Sequence, residues 1–76
     1  GQDNKFTVST LVQTDIVVNA SENYQYLVSD MNGRMINTGK GLKGINRINI
    51  VNQPAGMYII QLYNNEKKQT ERIIKQ

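Results

Sequence analysis

The chain has 76 residues, enough for a single domain, and its formal net charge of +3 is ordinary for a small domain. It contains neither Cys nor His, which excludes disulfides, zinc sites built on thiolate or imidazole, and proton transfer by a group that titrates near neutral pH. Its Lys and Arg residues are spread along the chain and are not interleaved with exposed aromatic residues, so we expect no nucleic-acid partner.

The remaining residue types also argue against metal binding and catalysis. The six acidic residues are scattered, so we expect no metal ion and no cofactor. No Ser lies in a nucleophile motif, and a chain this short has little room for a ligand-sized pocket. We therefore expect no enzymatic activity and no small-molecule substrate. Asp30 is the one acid inside a predicted apolar strand, and we expect it to bond the backbone of the turn that follows.

Composition and patterning favour strands throughout the chain. Val and Ile together number 15, against four Leu and two Ala, and branched side chains suit the pleated surface of a sheet. No stretch repeats apolar residues at the spacing of a helix. Residues 1–4 are predicted to be a disordered start that includes an expression scar at Gly1, and residues 5–76 to form one domain. Alternation and turn residues predict strands at 5–11, 16–18, 24–31, 34–38, 45–51, 57–63 and 67–75.

Two glycine-containing segments in the middle of the chain are predicted to interrupt its strands. Asn32-Gly33 fits a two-residue type I′ turn, which needs positive φ at both central residues, and would join the third strand to the fourth. Gly39, Gly41 and Gly44 are then expected to break regular structure. The broken segment is either a connection between sheets or a bulged, mobile edge.

The strand at residues 57–63 is predicted to be central, with the rest of the chain covering its apolar face. Tyr58, Ile60 and Leu62 share that face because strand side chains repeat every two residues. Pro54 and Gly56 form the turn before the strand. Tyr58 stands where sandwiches often form a tyrosine corner, in which the hydroxyl bonds backbone a few residues upstream. The alternative is a core Tyr whose hydroxyl reaches water.

The last predicted strand gathers four of the nine basic residues. These are Lys67, Lys68, Arg72 and Lys75. We interpret this segment as a solvated edge strand protected by Lys, with a binding patch as the alternative.

Together these strands predict an all-β fold, an immunoglobulin-like antiparallel β-sandwich of about seven strands. Short strands with turns at regular intervals are typical of such sandwiches, and the position of Tyr58 favours the immunoglobulin-like arrangement. A small barrel is the alternative.

Three segments resemble the C-terminal sorting domain of proteins exported by the type IX secretion system of Bacteroidetes. Residues 26–36, YLVSDMNGRMI, are similar to that family's strand, D-x-x-G-[KR] turn and next strand. Residues 48–60, with INI followed by PAGMYII, are similar to its L-P-x-G-x-Y core. Residues 71–76, ERIIKQ, resemble its terminal K-x-[IV]-[IV]-K. The match covers about residues 15–76. The family's opening Pro-Asn-Pro motif is missing, and Gln53 replaces the usual Leu.

The resemblance implies a seven-strand immunoglobulin-like sandwich that serves as an export signal. It would be recognised by the outer-membrane secretion machinery and removed at the cell surface by a sortase-like protease. We therefore expect an exported protein, found in the periplasm, at the cell surface or outside the cell. On this interpretation the recognition residues are Lys67, Lys68, Arg72, Ile73, Ile74 and Lys75.

The alternative function is a stand-alone exported module that binds an unidentified protein partner. Such a module would pair through an exposed sheet edge, as in a homodimer, or use loops such as residues 38–44. In either case one set of residues is expected to hold the turns of the fold. These structural residues are Asp30, Asn32, Gly33, Pro54, Gly56 and Tyr58.

Overall fold

A computed structural model describes residues 6–76, which form strands and turns with no helix among them. The predicted disordered start and Lys5 lie outside the described residues. Nothing helical in residues 6–76 has the length or apolarity to cross a bilayer. The eight strands are β1 (Thr7–Val8), β2 (Leu11–Val12), β3 (Asp15–Ala20), β4 (Tyr24–Asp30), β5 (Met35–Gly41), β6 (Gly44–Asn49), β7 (Gly56–Tyr63) and β8 (Lys68–Lys75).

The strands form two sheets that enclose a common core, as predicted for an immunoglobulin-like sandwich. One sheet has three strands in the order β1-β3-β6, and the other has five in the order β2-β8-β7-β4-β5. All pairs are antiparallel except β2 with β8. The central pairs of the immunoglobulin plan, strand B with E and strand C with F, are here β3 with β6 and β4 with β7.

The first predicted strand is in fact two strands, which raises the count from seven to eight. The Ser9 amide donates to the carbonyl oxygen of Val17 at 3.0 Å, in the three-stranded sheet. The next carbonyl oxygen, that of Thr10, accepts from the amide of Ile74 at 2.7 Å, in the five-stranded sheet. The chain therefore changes sheets between residues 9 and 10. The pattern along the chain could not reveal this, because the crossing depends on which distant strands residues 7–8 and 11–12 pair with.

The core lies between the sheets and is filled by alternate side chains of the long strands. Tyr58 is buried beside Ile60 and Leu62, so the predicted inward face of β7 is confirmed. Burying a large aliphatic side chain contributes about 1.5–3 kcal/mol, which makes these strands the main source of stability. Six of the core residues are completely buried: Ile16, Val18, Val28, Ile60, Leu62 and Ile73.

Gly39 and Gly41 do not break the structure, because both lie inside β5. They stand opposite Tyr26 and Tyr24 of β4, respectively. A Cβ on Gly39 would lie 2.7 Å from Tyr26 Oη, and one on Gly41 would overlap the Tyr24 ring. The expected break at Gly39 and Gly41 was therefore wrong: each glycine leaves room for the ring of a tyrosine on the neighbouring strand. The expected connection between sheets is present at residues 42 and 43, which join β5 of the five-stranded sheet to β6 of the three-stranded sheet. Gly44 begins β6, so only residues 42 and 43 of the predicted loop at 38–44 connect two strands.

Three aromatic rings lie in series beside these glycines. The ring centroids of Phe6 and Tyr24 are 5.1 Å apart, and those of Tyr24 and Tyr26 are 6.3 Å apart. Burial, with a smaller effect from Tyr26, raises the pKa of the Tyr24 hydroxyl. The ring of Tyr24 packs between those of Phe6 and Tyr26.

Candidate recognition surface

The six predicted recognition residues lie on β8 and in the turn before it, and the alternation of the strand divides them. Lys68, Arg72 and Ile74 point outward and are exposed. Ile73 is completely buried, and Lys75 is only 8% exposed. Lys67 is half-buried in the turn between β7 and β8. A partner that meets the folded domain therefore reaches the three outward residues and does not reach Ile73.

β8 is not the edge strand that its lysines suggested. It pairs with β7 over its whole length and with β2 at Ile74 and Lys75 on its other side. The edges of this sheet are β2 and β5. The edge interpretation was wrong because β2 comes from the other end of the chain, and no local charge pattern shows that pairing.

Among residues 6–76, one side of β8 has no strand partner over much of its length. β2 has two residues, and its pairing with β8 begins only at Ile74. The Ile74 amide points toward β2, so by alternation the backbone groups of Thr70 and Arg72 point to the same side. Within residues 6–76 no strand pairs with them there. This stretch of β8 therefore has backbone groups available to an added strand.

The hairpin between β4 and β5 has a three-residue loop, and the predicted two-residue type I′ turn is wrong. The Gly33 amide donates to the carbonyl oxygen of Asp30 at 3.1 Å, and the Asp30 amide donates to that of Arg34 at 3.0 Å. Gly33 has a φ of 86°, and no described residue other than glycine has a positive φ. The geometry is a type I turn over Met31 and Asn32, followed by a glycine bulge.

Asp30 holds this turn through its carboxylate, as expected from the sequence. Its Oδ1 accepts hydrogen bonds from the amides of Asn32 and Arg34, both at 2.9 Å, and its Oδ2 lies 3.3 Å from Arg34 Nε. The hydrogen bond from the Arg34 amide, aided by that from Asn32 and by the Arg34 charge, lowers the pKa of Asp30. Each of these contacts favours the ionised carboxylate.

At the start of β7, the Tyr58 hydroxyl donates a hydrogen bond to the carbonyl oxygen of Pro54, four residues upstream. Gly56 opens the strand with a φ of 151°. The bond joins the strand to the loop that follows β6, which is the corner between strands E and F of the immunoglobulin plan. The tyrosine corner predicted from the sequence is therefore present, with its hydroxyl on backbone.

The outer face of the five-stranded sheet was missed by the sequence reasoning. Leu11 lies opposite Ile74, and Ile74 lies opposite Met57, so strands from both ends of the chain place apolar residues side by side. All three side chains are exposed. Alternation along β7 does assign Met57 to the outer face. The grouping depends on register between strands, which the sequence alone does not show.

The loops at the other end of the sandwich form an open, polar cleft. It is lined by residues 21–23, 43 and 64–66. Asn23 Oδ1 accepts from the Lys43 amide at 2.9 Å, and Asn64 Oδ1 accepts from the amides of Glu66 and Lys67 at 2.9 and 3.0 Å. Asn23 thus ties its loop to residue 43, and Asn64 holds the turn between β7 and β8. Among the described residues, no group of three or more His, Cys, Asp or Glu could hold a metal ion.

Comparison with known protein families matches residues 4–76 to the secretion system C-terminal sorting domain. No curated protein and no solved structure matches the chain. The family match spans the whole sandwich, so β8 and the outer face of the five-stranded sheet both fall inside it.

Proposed function

Because the chain belongs to the family of secretion system C-terminal sorting domains, we propose that the secretion machinery recognises it through the outward side of β8. A domain of this family is a sorting signal for a protein that is exported through a secretion system. The observation that carries this function is the match of the family over the complete sandwich. We infer that the domain acts by being bound, without catalysis.

The residues on the accessible side of β8 support the proposal that this strand is the recognised element. Lys68 and Arg72 present two positive charges, and Ile74 presents an apolar side chain, all on one face of the strand. The backbone beside Thr70 and Arg72 is open to strand addition among the described residues. A partner that carries carboxylates and an extended segment would match both features.

The partner and the destination follow from the same proposal. The partner is the outer-membrane part of the secretion machinery, and the route of the protein ends at the cell surface. A homodimer through an edge strand would instead use β5 or β6, the long strands at the edges of the two sheets.

A reporter fused to the N-terminal side of this domain tests the proposal in a host with a type IX system. We expect the unaltered fusion to be exported. The combined change Lys68→Glu and Arg72→Glu should lower the secreted fraction severalfold, because it places negative charges where the partner's carboxylates would lie. The measurement is the reporter in the medium and at the cell surface, relative to the cell interior.

The matched control is the combined change Lys43→Glu and Arg47→Glu, two exposed charges away from β8. Equal export of the two double variants would contradict recognition through β8. Deletion of residues 72–76 is a poorer test, because it also removes Ile73 from the core and would unfold the domain.

A further inference from the structure

We propose that a stripe of exposed apolar residues on the outer face of the five-stranded sheet docks onto an apolar protein surface of the export machinery that is bordered by carboxylates. The apolar stripe consists of Leu11, Met31, Met35, Met57 and Ile74. This inference rests on the proposed function and extends the recognised element from one strand to a face built by four strands and a turn.

The register of the sheet brings the stripe together. Leu11 of β2 is opposite Ile74 of β8, which is opposite Met57 of β7. Opposite residues in a sheet have Cβ atoms about 4.5–5.5 Å apart. Asp30 is opposite Tyr58, so Met31, in the turn directly after Asp30, lies near the end of this row beside Met57.

A second row widens the stripe toward β5. Met35 begins β5 opposite Ser29, and Ser29 is opposite Ile59 of β7. Ile59 points to the same face as Met57, two residues away, and is half-buried. The two rows lie side by side at the end of the sheet that carries the β4–β5 turn, with Ser29 between Met35 and Ile59.

The side chains of the stripe are strongly exposed. Their exposed fractions are 61% for Leu11, 57% for Met35, 55% for Met31, 48% for Ile74 and 38% for Met57. Of the eight large apolar side chains exposed on the described residues, five lie in this stripe. Scattered exposed apolar residues are normal, whereas a contiguous group on a sheet face marks an interaction surface.

The residue types of the stripe fit a protein partner. All three methionines of the chain lie in it. Met side chains are flexible and polarizable, and they recur at surfaces that adapt to a partner's shape. A surface that anchors to a membrane would typically carry Trp or Tyr at the lipid interface, and the stripe has neither.

The charged residues on the same face indicate which charges the partner carries. Lys40, Lys68 and Arg72 point outward from this sheet, and Arg72 is opposite Ile59, next to the stripe. On the described strands of this sheet no Asp or Glu points outward. A partner whose apolar surface is bordered by carboxylates on one side complements this pattern, because Lys40 and Lys68 lie beyond Arg72 toward the opposite end of the sheet. A second copy of the domain would instead bring like charges together.

The reporter fusion tests the stripe with the combined change Met57→Thr and Ile74→Thr, since Thr keeps the preference for strands but removes apolar surface. We expect the secreted fraction to fall about tenfold, as for loss of contacts at the centre of an interface. The combined change Ile45→Thr and Val51→Thr is the matched control, because both residues are exposed apolar side chains outside the stripe. The control should be exported like the unaltered fusion.

Thermal melting of each purified domain checks that the variants fold. A second stripe variant, the combined change Met31→Gln and Met35→Gln, repeats the export test without altering the interior of a strand. If all stripe variants are exported at the level of the unaltered fusion, the docking role of the stripe is overturned, and the proposed function is unaffected. Retention of the unaltered fusion inside the cell would overturn both.

Two further outcomes would assign the stripe to another occupant and so overturn the proposal. One is flotation of the purified domain with vesicles of phosphatidylcholine and phosphatidylglycerol in equal amounts, lost in the Met57→Thr and Ile74→Thr variant. The other is a dimer in analytical ultracentrifugation that the same variant loses. We expect the domain to remain unbound and monomeric in these two experiments.

Discussion

At the residue scale, two polar side chains close the turns at the end of the sandwich that carries the apolar stripe. The Tyr58 hydroxyl satisfies the carbonyl oxygen of Pro54, and the Asp30 carboxylate satisfies the amides of Asn32 and Arg34. Each side chain supplies a partner for backbone that the sheet ladder leaves unpaired. Both should therefore affect the stability of the domain.

The tyrosine corner predicts the effect of Tyr58→Phe. We expect the free energy of unfolding to fall by about 1 kcal/mol, the net value of one hydrogen bond. For a domain of this size that loss lowers the midpoint of thermal unfolding by about 4–8 °C. Tyr63→Phe is the control, since Tyr63 lies on the outer face of β7. A melting curve for Tyr58→Phe that coincides with that of the parent would show that the hydroxyl adds nothing.

The lowered pKa of Asp30 predicts how the stability of the domain depends on pH. A carboxyl whose pKa is lower in the folded state stabilises the fold above its unfolded pKa of about 3.9. This contribution is lost as the pH falls through the lower, folded pKa. Asp30→Asn should thus melt earlier than the parent at neutral pH, and the difference should shrink in strong acid. Glu22→Gln controls for the loss of one charge, and a difference that stays constant with pH would refute the argument.

At the scale of single elements, β5 shows how an edge strand can carry two glycines. Gly39 and Gly41 stand opposite Tyr26 and Tyr24, whose rings cover the bare backbone of the edge. Aromatic rings across from glycine are a known way to stabilise strand edges. The ring of Tyr24 also packs on Phe6, so β5 is tied through β4 to the start of the chain.

This packing predicts that Gly41→Ala destabilises the domain although alanine is the smallest possible addition. We expect a loss of about 1–3 kcal/mol in denaturant unfolding, the usual cost of overfilling a packed site. In a Tyr24→Leu background the same change should cost less, because the ring that the new methyl group overlaps is gone. Equal costs in the two backgrounds would mean that the ring and the glycine are not coupled.

At the scale of the whole molecule, the sandwich is closed by contacts between the start of the described chain and its last strand. β2 pairs with β8, and the Gln69 side chain bonds both backbone groups of Phe6, at 2.9 Å to its amide and 2.7 Å to its carbonyl oxygen. The same last strand contributes Ile73 to the core and turns Arg72 and Ile74 outward. The element that we propose is recognised is therefore also required for folding, and only outward substitutions can separate the two roles.

The sequence by itself determined the features that depend on neighbours along the chain. Alternation identified the inward face of Tyr58, Ile60 and Leu62 and the approximate positions of the long strands, because side chains of a strand repeat every two residues. The role of Asp30 and the corner at Tyr58 also followed from residues a few positions away. Such local rules were sufficient for an all-β sandwich and, with the motifs around them, for the family.

Only the tertiary structure decided which strands are neighbours, since pairing joins residues that are far apart in the chain. It moved β8 from the edge to the interior of its sheet and split the first strand between two sheets. It placed Gly41 under the ring of Tyr24 and gathered Leu11, Met57 and Ile74 into one stripe. These features depend on register between strands, and no pattern within a single strand encodes that register.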